Sequence, residues 1–297
     1  LRRQRQMCIR DRANPQLDFL ARAVGISMLS AVVCAVVGCY VVLRGMAFIG
    51  DAVSHAVFPG LAVAFALQGS ILLGGAVAGT VVALLIACFS QRRSVRADSV
   101  IGIFFAASFA LGMVIISRTE GYTASLTSFL FGTLTGVSKA DLYTAAAVTV
   151  IIVGLIALLS PQLTANCLDK ETARAMGLPV FALDIVLYLC VTGAVVISVG
   201  TIGNILVLAL LITPAATARL LTESLGSMMV TAAAIGSLGS FFGIYLAWAI
   251  DLPAGATIVL LLTACFLVAW AISPVLHSRH RTPRPASPSR HKESVTS

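Results

Sequence analysis

The chain has 297 residues, of which 59% are hydrophobic and only 11% are charged, and its mean hydropathy is +0.99. Soluble domains carry roughly 25% charged residues, so this composition excludes a soluble globular protein and indicates a polytopic membrane protein. The formal charge of +8 comes from basic residues at the termini and in short loops, which is typical of a membrane-orientation signal and not of a nucleic-acid-binding surface. The seven cysteines form no CxxC pair, so we interpret them as small buried hydrophobes.

The predicted organisation is a single membrane domain flanked by two polar ends. Residues 1–20 are interpreted as an N-terminal extension, whose first twelve residues match neither a membrane span nor a helix cap. We expect these twelve to be either foreign to the fold or an ordinary basic tail. Residues 21–276 form the transmembrane domain, and residues 277–297 are rich in Ser, Pro, Arg and His, which predicts a disordered basic tail.

Apolar runs predict an all-α bundle of eight or nine transmembrane helices. A helix of about 20 residues crosses the roughly 30 Å hydrocarbon core of a bilayer. The segment at residues 125–136 is too short and too rich in Gly and Thr to cross, so it is predicted to lie at the interface or to re-enter. The nine candidate spans are residues 23–43, 46–68, 71–89, 99–117, 143–159, two within 185–218 divided by a turn at 200–203, 228–250 and 257–275.

The distribution of Lys and Arg predicts the orientation, because cytosolic loops carry the excess of these residues. One alternating set of loops contains most of them, and the opposite set contains only Arg118 and Lys139. Nine spans with a cytosolic C-terminus satisfy this asymmetry, and a count of eight stays open if one segment does not cross. The basic set consists of Arg44, Arg92, Arg93, Arg96, Lys170, Arg174, Arg219 and the tail.

Two ionisable side chains stand alone in the second predicted span. Between Gly45 and Gln91, the only Asp, Glu, Lys, Arg or His residues are Asp51 and His55. An ionisable group at the centre of a bilayer costs roughly 2.5–3.5 kcal/mol on insertion scales, so such groups usually serve a pathway or a ligand. A spacing of four places the two side chains on one face of a helix, about one turn apart.

A carboxylate and an imidazole suit Mn²⁺, Zn²⁺ or Fe²⁺ better than Mg²⁺ or Cu⁺. Ser54 and Phe58 flank the same side, and Pro59 is expected to break the helix because it removes a backbone hydrogen bond. Two ligands are too few for a tight site, but a second copy of the chain across a two-fold axis would double them. A structural ion pair between Asp51 and His55, or a proton relay, explains the same two residues.

A polar loop after the fifth span predicts a short amphipathic helix at the membrane surface. Asn166 is the predicted N-cap, Asp169 lies in the predicted first turn, and Gly177 ends the helix. Leu168 and Met176 fall on one face at multiples of four residues, which suits the docking of another protein. A solvated connecting helix accounts for this spacing equally well.

Several motifs in a fixed order resemble the permease subunits of bacterial ABC transporters that move zinc, manganese or iron. One of them contains Asp51 and His55 in the pattern GDxxxHAxxPG, and together they extend over residues 21–274. The sequence departs from the family at residues 199–204, where Gln followed by Val-Gly is more common and Asn204 is unusual. The matching segments are residues 43–60, 98–105, 129–132, 173–179, 206–218 and 251–259.

The resemblance implies a homodimeric permease of the bacterial plasma membrane, surrounded by lipid, with a translocation path on its two-fold axis. Two cytosolic ATPase subunits and an extracellular metal-binding protein are the implied partners. Asp51 and His55 would coordinate the ion, and Ser54, Phe58 and Pro59 would line the path beside them. No tightly bound cofactor is implied, since the divalent metal ion is the cargo and ATP binds to the partner subunit.

The resemblance also implies that the cytosolic helix after the fifth span transmits ATPase closure to the membrane domain. The chain has no GxxxxGK[ST] phosphate loop, so the ATPase must be a separate chain and this protein is not predicted to be an enzyme. A proton- or ion-coupled secondary transporter that uses Asp51 and His55 stays open as the alternative. The residues implied in ATPase coupling are Leu168, Asp169, Glu171, Arg174, Met176 and Gly177.

Overall fold

The structure is a computed structural model, and it describes residues 15–46, 48–91, 97–118 and 138–279. Every regular element within these ranges is an α-helix, which confirms the predicted all-α class. The helices, numbered in chain order, are α1 (Pro15–Leu43), α2 (Ile49–Ala66), α3 (Ile71–Phe89), α4 (Ala97–Ser117), α5 (Lys139–Leu168), α6 (Lys170–Ala175), α7 (Val180–Ile202), α8 (Asn204–Leu221), α9 (Leu225–Ala249) and α10 (Ala254–Arg279).

Eight of the described helices are long and apolar enough to cross a membrane, while α2 is a shorter apolar helix and α6 is a single short element. Each predicted span coincides with one helix, so α2 alone decides between a count of eight and a count of nine. The fifth span is longer than the predicted 143–159. Ser138 and Asp141 form a capping box that starts α5 early, and Pro161 does not end the helix.

The predicted break at Pro59 is not an interruption of the helix. Pro59 lies inside α2, which continues to Ala66. Because proline has no N–H, the backbone carbonyl of His55, four residues earlier, loses its helical donor. The consequence is the local loss of one backbone hydrogen bond next to the candidate site.

Most side chains of α2 are buried, because other helices enclose it on several sides. The backbones of α2 and α3 approach closely at Gly60, where a Cβ atom would lie 2.2 Å from the carbonyl oxygen of Gly74. On another side α4 presents Gly112, where a Cβ atom would lie 2.7 Å from a ring carbon of Phe58. Small residues therefore let the neighbouring helices enclose the candidate site closely.

The first helix packs against α8 and α9 and supports α2 indirectly. A Cβ atom at Gly38 would lie 1.8 Å from the carbonyl oxygen of Leu211, so glycine is required for this contact between α1 and α8. The side chain of Leu211 also reaches Gly50, where a Cβ atom would lie 2.4 Å from it. Leu211 thus joins α1, α2 and α8 in the buried core.

The turn predicted within residues 200–203 is formed at Gly203, the last residue of that range. Helix α7 ends at Ile202, and Gly203 has a φ of +84°, a conformation that glycine adopts without steric cost. Asn204 then begins α8 directly. The sharp turn places Asn204 at the junction of the two helices.

Several predictions fall outside the described residues. These are the first twelve residues, the segment at 125–136, the loop arginines Arg92, Arg93 and Arg96, and most of the predicted tail. The start of that tail differs from the prediction, since α10 continues to Arg279 and its first three residues are therefore helical.

Candidate functional site

Asp51 and His55 lie on one face of α2, as their spacing predicts. The Oδ1 atom of Asp51 is 3.5 Å from the Nε2 atom of His55. Their side chains keep 28% and 16% of their accessible surface, which leaves both reachable in a mostly buried helix. A weak, partly exposed pair contributes little to stability, so this geometry favours a role for the two side chains beyond packing.

Three side chains from other helices surround the imidazole of His55. The rings of Phe105 and Phe109 on α4 meet it edge to face, with ring centroids 4.9 and 5.3 Å away. The Nδ2 atom of Asn204 on α8 lies 3.4 Å from the Nε2 atom of His55. The two aromatic rings restrict the orientation of the imidazole, and its Nε2 edge faces polar groups.

The three predicted path residues take different positions. Ser54 is fully buried, and its hydroxyl donates a hydrogen bond of 2.7 Å to the backbone carbonyl of Gly50. Phe58 and Pro59 are also buried and pack against Gly112 of α4. The hydroxyl of Ser54 is thus directed to its own helix, and the role of the three residues in a path stays a prediction.

An open cleft of about 440 Å³ begins at Asp51 and leads toward the N-terminus of α4. Asp98, in the first turn of α4, contributes a second carboxylate to its wall. A negative side chain is favoured there because the helix dipole is positive at its N-terminus. A cleft lined by two carboxylates concentrates cations next to Asp51.

Within the described residues, no group of three or more His, Cys, Asp or Glu side chains could hold a metal ion. Asp51 and His55 are therefore two candidate ligands per chain. A structural zinc site usually takes four protein ligands, so the pair by itself is suited to transient binding. The interpretation of the pair as half of a site stays a prediction.

A second polar cluster, which sequence reasoning missed, surrounds Asp184 in α7. Its carboxylate is fully buried and forms an ion pair with Arg44, at the end of α1. Asn166 donates to the same carboxylate over 2.8 Å, and so does the ammonium group of Lys170 over 2.8 Å. Asp184 is the only charged residue between Pro179 and Arg219. That isolation in an apolar run is the signal that could have identified it.

The short helix α6 starts differently from the prediction. Asn166 is not its N-cap, because α5 continues through Asn166 to Leu168 and buries the amide against Asp184. Asp169 is the N-cap instead, and its side chain accepts from the backbone N–H of Glu171 over 2.9 Å. The hydroxyl of Thr172 also donates to Asp169, and these hydrogen bonds hold the pKa of its carboxyl below the usual value.

Four residues of the predicted basic set share one end of the bundle. Arg44 and Lys170 both contact the carboxylate of Asp184. The guanidinium of Arg174 donates to the side-chain oxygen of Gln91 over 3.4 Å. Arg219 donates to the backbone carbonyl of Val42 over 3.2 Å. Lys139 begins α5 and so lies a full helix away from α6. Arg44 is not a free loop residue, since its side chain is 4% exposed and paired.

Comparison with known proteins agrees with this architecture. The profile of the ABC 3 transport family matches residues 16–273. The chain is 38% identical over 257 residues to the manganese transport system membrane protein MntC of Halalkalibacterium halodurans. This alignment covers 86% of this chain and 88% of that protein. The chain is 32% identical over 268 residues to the chelated iron transport system membrane protein YfeC of Yersinia pestis, covering 89% and 91% of the two chains.

A solved structure has the same fold. PsaBC from Streptococcus pneumoniae, determined in complex with a Fab, contains a chain that superimposes with a TM-score of 0.76 at 34% identity. The match covers 86% of this chain and 92% of that one. The resemblance to metal ABC transporter permeases that the motifs indicated is confirmed, and the chain belongs to the ABC 3 transport family.

Proposed function

We propose that this protein is the membrane-spanning permease subunit of an ABC importer for divalent transition metal ions. The observation that carries the proposal is the pair Asp51 and His55, 3.5 Å apart and partly exposed on a helix that is mostly buried. The pair occurs in a chain whose relatives are named for manganese and chelated iron transport. A carboxylate oxygen and an imidazole nitrogen are ligands that Mn²⁺, Fe²⁺ and Zn²⁺ share.

The proposed ion site is completed by a second copy of the chain. Each chain provides Asp51 and His55, and a two-fold axis next to α2 brings two such pairs together. Four side-chain ligands bind a divalent ion strongly enough for recognition, whereas the separation of the two half-sites releases it. Ser54, Phe58 and Pro59 are proposed to line the path beside this station.

A route toward the basic end of the bundle is supported by the cleft that joins Asp51 to Asp98. By the positive-inside rule, the end with Arg44, Lys170, Arg174 and Arg219 faces the cytosol. The C-terminus then lies in the cytosol as well. An extracellular metal-binding protein delivers the ion at the opposite end of the bundle.

The cytosolic ATPase partner is proposed to dock on α6 and the residues next to it. Leu168 and Met176 flank the helix and are 74% and 66% exposed, an unusual position for apolar side chains outside the lipid. Asp169 and Glu171 add charge, while Gly177 ends the segment with a φ of +76°. The contacts of Lys170 and Asn166 with Asp184 fix this helix to the membrane domain.

Metal uptake by the assembled complex tests the proposed function. The permease and its ATPase would be reconstituted in vesicles, and uptake of Mn²⁺ and Zn²⁺ would be measured with ATP, with a non-hydrolysable analogue and without nucleotide. We expect metal uptake only with ATP, because ATP hydrolysis and not an ion gradient drives the proposed importer. Uptake driven by a pH gradient in the absence of ATP would instead establish the secondary-transporter alternative.

Charge reversal on α6 is expected to weaken association with the ATPase. Arg174→Glu or Glu171→Arg reverses one charge of the proposed docking surface. If the ATPase presents complementary charges there, the new like-charge contact costs several kcal/mol, so we expect at least a roughly tenfold weaker Kd. Binding would be measured with purified subunits in detergent. Lys139→Glu is the matched control, since Lys139 is exposed at the opposite end of α5. Unchanged affinity and unchanged ATP-driven uptake in both α6 variants would place the ATPase elsewhere.

A further inference from the structure

Asn204 is a buried amide whose polar atoms the fold itself does not use fully. Its side chain is 2% exposed, and within the described part of the chain its Oδ1 atom has no hydrogen-bond partner. A buried carbonyl oxygen without a partner is destabilising, because it has lost its hydrogen bonds to water and gained none in return. Such a cost calls for an explanation in terms of function.

Helix capping does not account for Asn204. Asparagine is favoured at N-cap positions because its side chain accepts from the first backbone N–H groups. Here Gly203 occupies the N-cap of α8, with no side-chain capping bond, and Asn204 is already the first helical residue. The amide points toward His55 on another helix instead, with Nδ2 3.4 Å from Nε2.

The distances around His55 match those between ligands of one metal ion. Two ligands held about 2.1 Å from an ion are roughly 3.4 Å apart at a tetrahedral angle and roughly 3.0 Å apart at the right angle of a six-ligand site, so the ligands would close in by about 0.5 Å or less to complete either geometry. The Nε2 atom of His55 is 3.5 Å from Oδ1 of Asp51 and 3.4 Å from the amide of Asn204. Half a turn of the amide exchanges its nitrogen for its oxygen, and the two orientations have the same shape.

We propose that Asn204 is a third metal ligand, through its Oδ1 atom, and that it biases the site toward Mn²⁺ over Zn²⁺. The inference rests on the proposed function and adds a residue to the same site. With Asn204, each chain supplies two oxygens and one nitrogen, and two chains supply six ligands. Carboxylate and carbonyl oxygens suit Mn²⁺, whereas Zn²⁺ prefers four ligands rich in nitrogen or sulfur.

The position of Asn204 also explains how the ligand could be withdrawn. Asn204 follows directly after Gly203, at the sharp junction of α7 and α8, while Asp51 and His55 belong to α2. A ligand set divided between two helices is lost when these helices move apart. Binding and release of the ion are thereby linked to the rearrangement of α8 relative to α2.

Metal affinity of Asn204 variants tests this inference. The complex of permease and ATPase would be purified in detergent, and its Kd for Mn²⁺ and for Zn²⁺ measured by equilibrium dialysis with radioactive ions. Asn204→Ala is expected to raise the Kd for Mn²⁺ by roughly tenfold or more. Substitution of residues that only support metal ligands already costs about 10- to 100-fold in affinity, and loss of a ligand should cost at least as much. The Kd for Zn²⁺ should change by less than about threefold, because four ligands remain in the dimer. Asn204→Asp, which restores an oxygen ligand, should retain Mn²⁺ binding.

The control is Ser240→Ala, which removes another buried and unpartnered polar atom, in α9 and away from the site. An unchanged Mn²⁺ affinity in Asn204→Ala, or an equal loss for Mn²⁺ and Zn²⁺, would overturn the proposed ligand role. The second result would instead indicate that Asn204 only orients His55. Failure of the proposed function is distinguishable, since the unsubstituted complex would then bind and import neither metal.

Discussion

Substitution of Asp184 by alanine is expected to destabilise the membrane domain by about 3–5 kcal/mol, the usual cost of removing one partner from a buried ion pair. The carboxylate is fully buried, and Arg44 would remain 4% exposed without its counter-ion. Asn166 and Lys170 would lose a hydrogen-bond acceptor as well. The free energy of unfolding would be measured by denaturant titration in mixed micelles.

The comparison with a double variant makes this test specific. Arg44→Met combined with Asp184→Leu removes the buried ion pair, so we expect it to recover part of the lost stability, while Asn166 and Lys170 still lack their acceptor. The single variant Asp184→Asn, which keeps the shape and one acceptor oxygen but loses the charge and the second acceptor, should fall between these limits. Equal stability of Asp184→Ala and the unsubstituted protein would show that the cluster does not hold the helices together.

The cluster is important because of the elements that it joins. A single carboxylate on α7 contacts the residue that follows α1, a residue near the end of α5 and the first residue of α6. Asp184 and Ile202 on α7 are 18 residues apart, which is roughly 27 Å of helix. Asn204 therefore lies almost a full helix length from the cluster, which marks the basic end of the bundle.

The spans and the central pair could be predicted from sequence because both depend on local composition. Long apolar runs define the helices, and Asp51 and His55 stand out because no other ionisable residue occurs near them. The end of α5 could not be predicted in this way. Its helix passes Pro161, and its last turn buries Asn166 against a partner that lies on α7. Only the packing of α7 on α5 makes Asn166 a core residue.

Contacts between residues far apart in the sequence are the second feature that could not be predicted. Asp184 is isolated in an apolar run but lies near its start, only five residues after Pro179, where a charge is easily assigned to a loop. Arg44 follows the end of a predicted span, so its sequence position indicates a loop residue and not a buried one. The approach of Asn204 to His55 joins residues 149 positions apart. Such a contact depends on how α8 packs near α2, and no periodicity in a single sequence encodes that arrangement.

The largest functional effect is expected at Asp51 and His55. Asp51→Asn or His55→Ala removes one of the two strong ligands in each chain, so we expect ATP-driven Mn²⁺ uptake by the assembled complex to fall at least roughly 100-fold. This exceeds the 10- to 100-fold effects seen when only supporting residues of a metal site are changed. Initial uptake rates in vesicles, over a range of metal concentrations, would be the measurement.

Stability separates this functional role from a structural one. The pair is partly exposed and its closest atoms are 3.5 Å apart, so its loss should change the free energy of unfolding by less than about 1 kcal/mol. Asp51→Asn also removes a charge from membrane depth, which offsets part of any loss. Asp251→Asn is the matched control, because Asp251 is exposed in a left-handed conformation that asparagine tolerates. Retained uptake with strongly reduced stability in both site variants would identify Asp51 and His55 as a structural pair and remove the basis for the metal station.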